Sequence, residues 1–315
     1  MALVKKIVFY TLLIVILSWL LEYAVLNGIR KNKIGLYNKF NRIFHQQNNY
    51  DLLIIGSSRA EGHFNTKIID SIVGCNSFNI GISGSNNAFT YGIYKTYLSK
   101  SKAPKIVVMN IDFHFSHHSS DTIYEFPRYF PYLDNEILYN ELKQRDPRFY
   151  LFKYMPLYKL AFMGDKYLNI AARGYTGKPG IYDWDCYKGF QAINPIQFKD
   201  ISKEDTSTYK GIILKENIDY LDSIISISKK NSTKVYIVVS PTYIKGSKRI
   251  VNLEEHMKGF EKVAKEREIP FMDYTKDSIC YKGNLFADFY HMKKEGAVRF
   301  SSKFANDFKK LLSKE

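Results

Sequence analysis

Five short apolar runs, separated by stretches with helical spacing, constrain this chain more than any other feature. They fall at residues 51–55, 77–80, 105–110, 234–239 and 270–273. Each is too short for a buried helix and lacks polar alternation, which is the pattern of a strand covered on both faces. Helical periodicity fills residues 86–100, 212–229, 253–267 and 293–312. In the last of these, Val298, Phe300, Phe304, Phe308 and Leu311 are expected toward the core. Strands that alternate with helices predict an α/β fold, a three-layer sandwich with a central parallel sheet. Sites in such sheets form beyond the carboxyl ends of the strands.

Residues 117–206 break the alternation. They contain no clear strand–helix pair and are rich in Tyr, Phe and Pro, as in Glu125-Phe126-Pro127-Arg128-Tyr129-Phe130-Pro131-Tyr132. We expect a cap insertion, largely helical in its first half, within a domain spanning 51–315. Aromatics make up 16% of the chain, with 25 Tyr and 22 Phe, so it cannot be disordered.

The N-terminus is directed to a membrane. Lys5 and Lys6 precede an uncharged run from Ile7 to Leu21, which Glu22 interrupts and Tyr23-Ala24-Val25-Leu26 extend. Counted through Leu26, this is about the 20 residues that cross a bilayer. The strictly apolar part has signal-peptide length, but no small-x-small cleavage site follows it, which favours an uncleaved anchor over 1–27. Lys5 and Lys6 argue for a cytoplasmic N-terminus, while Arg30, Lys31 and Lys33 lie on the other flank. Residues 28–50 are expected to form a basic tether or membrane-proximal helix.

The formal net charge is +15, spread along the whole chain. A diffuse basic balance suits anionic surfaces such as phospholipid headgroups or anionic envelope polymers. No nucleic-acid-binding motif accompanies it, so nucleic acid is not an expected partner. Cys75, Cys186 and Cys280 have no CxxC spacing, and three cannot complete a disulfide framework. The loose group His114, His117 and His118 has no acidic ligand at fixed spacing, so no metal site and no cofactor is expected.

Two segments carry candidate chemistry. In Gly56-Ser57-Ser58-Arg59, Ser58 sits at a strand-to-helix turn, where its own N–H lies near the positive end of the helix. In Asp288-Phe289-Tyr290-His291, a carboxylate and an imidazole lie one turn apart. A serine hydroxyl is a poor nucleophile without a base. His291 can be that base, with Asp288 holding its other ring nitrogen. The plainer reading is that Ser57 and Ser58 cap a helix. Arg59 either meets an anionic group of a substrate or pairs at the surface with Glu61. His63 either lines the pocket or lies at the surface. Trp184, in a segment of rings and carboxylates at 182–190, is a candidate for stacking on a sugar, against ordinary packing of the cap.

These segments, with Asn79-Ile80-Gly81-Ile82-Ser83-Gly84 between them, resemble the SGNH (GDSL-like) hydrolase superfamily over residues 51–116 and 234–312. The resemblance implies a flavodoxin-like fold and a catalytic triad of Ser58 as nucleophile, His291 as base and Asp288 as its orienter. It also implies an oxyanion hole from the Ser58 and Gly84 N–H groups. The family's third block ends its oxyanion hole with an Asn from Gly-x-Asn-Asp. Here the segment reads Met109-Asn110-Ile111-Asp112-Phe113, so Asn110 stands at a shifted offset and Asp112 is an alternative marker of the site. Ser57 replaces the family's usual Asp. With its apolar N-terminus, the chain looks like the membrane-anchored branch that includes teichoic-acid D-alanine transfer proteins and polysaccharide O-acylation proteins. That branch implies a membrane-anchored, extracytoplasmic esterase or O-acyltransferase acting on an envelope glycan or teichoic-acid-like polymer, with a membrane-bound acyltransferase as partner. The alternative is a non-catalytic accessory protein that binds such a polymer or such an acyltransferase.

Overall fold

The structure, a computed structural model, describes residues 1–112, 123–178, 186–193, 206–212 and 215–314. Its contacts divide into two compact units. One joins Met1–His45 to Glu125–Trp184, and the other joins Gln46–Tyr124 to Asp185–Glu315.

The second unit is built on a five-stranded sheet in which every pairing is parallel. Its strands are β1 (Leu52–Ile55), β2 (Ser77–Asn79), β3 (Ile106–Asn110), β6 (Lys234–Val239) and β7 (Phe271–Asp273). A two-stranded hairpin, β4 (Cys186–Tyr187) and β5 (Phe190–Gln191), lies between β3 and β6 in the chain. The order β2-β1-β3-β6-β7 is doubly wound, with the direction of winding reversed between β1 and β3. A crevice opens at such a reversal, beyond the strand ends. The outer edge of β2 is not bare, because Asn79 N–H donates to the Lys188 carbonyl of the hairpin at 2.9 Å.

All five apolar runs are strands, so the expected α/β sandwich is the observed architecture. Leu52, Ile54, Val108, Tyr236 and Val238 share one core with Phe300, Phe304 and Phe308 of α12 (Lys294–Leu312). The three Phe side chains are fully buried; each is worth about 1.5–3 kcal/mol by area removed from water. Val298 is an exception to the expectation. It is 36% exposed, because the buried stripe of α12 runs through Ala297, Phe300, Phe304 and Phe308. Those positions recur at three and four residues, and Val298 is turned about 100° from Ala297. On the opposite side, α9 (Lys215–Lys230) packs against both β6 and α5 (Asn87–Lys100); this unit also holds α4 (Thr66–Val73), α10 (Ile244–Ser247) and α11 (Leu253–Glu266).

The first unit is helical and aromatic. Helix α1 (Ala2–Arg30) is long and apolar enough to cross a membrane. It is followed by α2 (Gly35–Phe44), whose Phe40 and Phe44 are fully buried and meet Tyr132 edge-on and tilted, respectively. Residues 28–50 therefore carry a packed helix. Later come α6 (Glu136–Arg145), α7 (Phe149–Tyr154) and α8 (Asp165–Thr176). Phe126, Phe130, Phe149, Phe152 and Phe162 form a connected ring cluster in this unit. The proposed cap boundaries at 117 and 206 fall outside the described residues or at their limit.

Candidate active site

The site lies where β1 ends. Gly56 leaves the strand at φ +138°, and a Cβ there would come within 2.8 Å of the Asn110 carbonyl oxygen. Only glycine lets the chain turn this close to β3. Helix α3 (Ser58–His63) starts at once, and Ser57 is its cap, its Oγ accepting from Arg59 N–H at 3.2 Å. The two serines are thus divided in role. Ser57 is buried and tied to the backbone, while Ser58 is half-buried and turned to the site.

Ser58 Oγ lies 2.8 Å from His291 Nε2. His291 Nδ1 lies 2.7 Å from Asp288 Oδ2. The other carboxylate oxygen of Asp288 accepts from Tyr290 N–H and His291 N–H, each at 2.7 Å. This short turn, closed by Ala287 N–H on the His291 carbonyl at 2.8 Å, supplies both imidazole and carboxylate. Burial works to raise the Asp288 carboxyl, but the His291 ring and the two backbone N–H groups hold it below its ordinary value. An ionised Asp288 keeps the ring proton on Nδ1. The Nε2 lone pair then faces the Ser58 hydroxyl.

A lowered carboxylate contributes stability that is present above its unfolded value, near pH 4, and lost as pH falls through the lower folded value. Asp288→Asn should therefore flatten the acid limb of stability against pH, read by thermal melts from pH 7 to pH 3. It should also cut turnover by about 10²–10⁴-fold, since an amide permits the wrong imidazole tautomer.

The Ser58 and Gly84 N–H groups donate to no partner among the described residues. Gly84, at φ +78°, sits in the loop after β2, and a Cβ there would strike the Tyr124 side chain. That loop is held on α3 by Glu61, whose Oε2 accepts from Ser83 N–H at 3.0 Å and Ser83 Oγ at 2.5 Å. Asn79 completes the tie, donating to the Ala60 and Phe64 carbonyls and accepting from Gly81 N–H.

No family model and no curated protein matches the chain. Among solved structures it is similar to a protein of Streptococcus pneumonia provisionally described as a platelet activating factor. Identity is 10%, coverage 97% of this chain and 99% of that one, and the TM-score 0.45. It is also similar to a Bacteroides fragilis protein provisionally described as an acylhydrolase, at 12% identity, covering 87% and 95%, TM-score 0.40. A third is a family two carbohydrate esterase from Clostridium thermocellum, at 10% identity, covering 85% and 65%, TM-score 0.38.

Arg59, Asp112 and Asn110 are placed differently from the sequence-based expectation. Arg59 is fully buried and pairs with Asp112 at 3.0 Å, not with Glu61, and it donates to the Ser240 and Pro241 carbonyls. Asp112 also accepts from Ser57 Oγ and from Asn110 Nδ2. Burial pushes the Asp112 carboxyl up, against the pull of the Arg59 guanidinium. The two charges face each other, with the Arg59 guanidinium fully inside the fold. Asn110 is engaged at both ends, donating to Asp112 at 3.1 Å and accepting from Ser240 N–H at 3.1 Å. It is a strut between β3 and β6. Trp184, His114, His117 and His118 lie outside the described residues.

His63 is inside the fold, neither lining the pocket nor at the surface as the sequence suggests. It is fully buried. Its Nε2 accepts from Met292 N–H at 3.0 Å, so the proton sits on Nδ1, which donates to Ser240 Oγ at 3.1 Å. Its position five residues after Ser58 placed it on α3, but nothing local marked the partner 229 residues away. His63→Ala should cost about 2–4 kcal/mol in denaturant unfolding, as two buried polar groups lose their partners.

Proposed function

We propose that this protein is a membrane-anchored serine esterase or O-acyltransferase that acts on acyl esters of an anionic envelope polysaccharide or teichoic-acid-like polymer. The observation that carries the reading is the continuous chain of contacts from Ser58 Oγ through both His291 nitrogens to Asp288 Oδ2, at 2.8 and 2.7 Å. Ser58 Oγ attacks the acyl carbonyl while its proton passes to His291 Nε2. Asp288 stabilises the imidazolium. The developing oxyanion is met by the Ser58 and Gly84 N–H groups, each worth about 3 kcal/mol. As the tetrahedral centre collapses, His291 gives its proton to the departing alkoxide and an acyl-serine remains. Water or a sugar hydroxyl, deprotonated by His291, then takes the acyl group and restores Ser58. The net charge of +15 suits an anionic polymer, and α1 supplies the anchor.

A fluorophosphonate reagent tests this on the full chain in detergent micelles. Mass spectrometry should find one adduct on the peptide that contains Ser58. An unmodified Ser58 at complete folding would sink the reading and leave a non-catalytic binding protein.

A further inference from the structure

Helix α1 changes environment within one turn. From Leu3 to Leu21 its large apolar side chains are exposed, whereas Glu22, Leu26, Gly28 and Ile29 are buried within the first unit. Glu22 is the turning point. Its Oε1 pairs with Lys159 at 2.6 Å and its Oε2 accepts from Leu157 N–H at 2.9 Å. The turn that makes these contacts is strained, with Leu157 at φ +63°, a conformation a branched side chain rarely adopts. Unit body is therefore packed against α1 at Glu22, while Leu20, Leu21 and Tyr23 on the same turns remain 56–63% exposed.

A bilayer surface is a plane. If lipid surrounds Leu20 and Leu21, it must also reach the body packed beside Glu22 at the same height. The residues next to the Leu157 turn are Tyr154, 53% exposed, and Met155, 51% exposed. A second contact lies along α8, which runs antiparallel to α1. Asn32 donates to the Ile170 carbonyl, and Tyr175 hydroxyl donates to the Ala24 carbonyl at 2.8 Å. The Tyr175 hydroxyl thus meets α1 about 3 Å above Glu22 along the helix, while its half-exposed ring lies against Gly28, about 9 Å above Glu22. Arg173 and Lys178 flank it, with Lys31 over its ring at 4.9 Å. Exposed Tyr beside Arg and Lys at the end of an apolar helix is the make-up of a membrane–water interface.

We propose that the first unit rests on the leaflet that α1 enters. Tyr154, Met155 and Tyr175 insert into the interfacial zone, and Arg173 and Lys178 meet anionic phospholipid headgroups. The protein then holds the membrane by a helix and by a rim, so that the helix cannot tilt or rotate freely beneath the body. This rests on the reading that α1 crosses a bilayer, and the experiment separates the two.

Full-length single-tryptophan chains are placed in vesicles of phosphatidylcholine and phosphatidylglycerol. In one, Trp184→Phe leaves native Trp19. In the other, Trp19→Phe and Trp184→Phe are combined with Tyr154→Trp, and Met155→Trp serves as a second position. Shallow doxyl-labelled lipid should quench Trp19 and should remove about half of the emission from position 154. Aqueous iodide should have little effect on position 154. Quenching of Trp19 with a position 154 open to iodide and blind to lipid would overturn the rim but keep the span. Position 154 shielded from both would mean that protein covers it, a second copy or a partner, and would also overturn the inference. An unquenched Trp19 would overturn the span and the rim together.

Discussion

Ser58→Ala is expected to lower turnover on an aryl acetate by about 10³-fold or more and to end labelling by fluorophosphonate. The hydroxyl is half-buried and its contact is with His291, so its loss should leave folding within about 0.5 kcal/mol of wild type. The two measurements together make the test sharp. A fall in activity with an unchanged melting temperature assigns the effect to chemistry. Activity that survives the substitution would remove the nucleophile from the proposed mechanism. His291→Ala should fall nearly as far, and the double variant should fall no further than either alone, because the three groups act as a unit.

Asp112→Ala is expected to have the opposite profile, with a large effect on folding. It leaves the Arg59 guanidinium, fully buried, with carbonyl oxygens but without its counter-charge. Breaking a buried pair from one side costs about 3–5 kcal/mol. In a chain of this size that is a fall in melting temperature of roughly 10 °C. It should also free Ser57 Oγ and Asn110 Nδ2, which both donate to Asp112. Replacing both partners by apolar residues of similar volume, Arg59→Met with Asp112→Leu, should recover most of the stability. If the single variant melts like wild type, the pair is not holding the ends of β1, β3 and β6 together.

The sheet was legible in the sequence because buried parallel strands leave an unmistakable trace. An apolar run such as 52–55 cannot sit anywhere but between two layers, and Gly56 marks its end. Asp288 and His291 were legible because one turn holds both, so their geometry is a matter of local backbone. Arg59 was not. Ser58 and Arg59 are neighbours in the chain, yet one helical step of about 100° sends one to the site and the other into the core. What receives Arg59 there, Asp112 and the carbonyls of Ser240 and Pro241, comes from two other strands. The same reason hid His63, and it misplaced Val298 by a single step. The first unit was the least legible part. Its buried faces are shared between residues 1–45 and 125–184, and neither segment reveals alone that the other completes it.

Helix α3 has a consequence beyond placing a serine. Ser58 stands at its first position and His63 at its last, and His63 grips the amide of Met292, next to His291. Ser58 and His291 are therefore members of one closed ring, six residues of helix on one side and a single peptide link on the other. A thermal displacement of α3 carries His291 along with Ser58. Their separation should fluctuate less than the position of either residue, and a rise in temperature should leave it intact until the helix itself is lost.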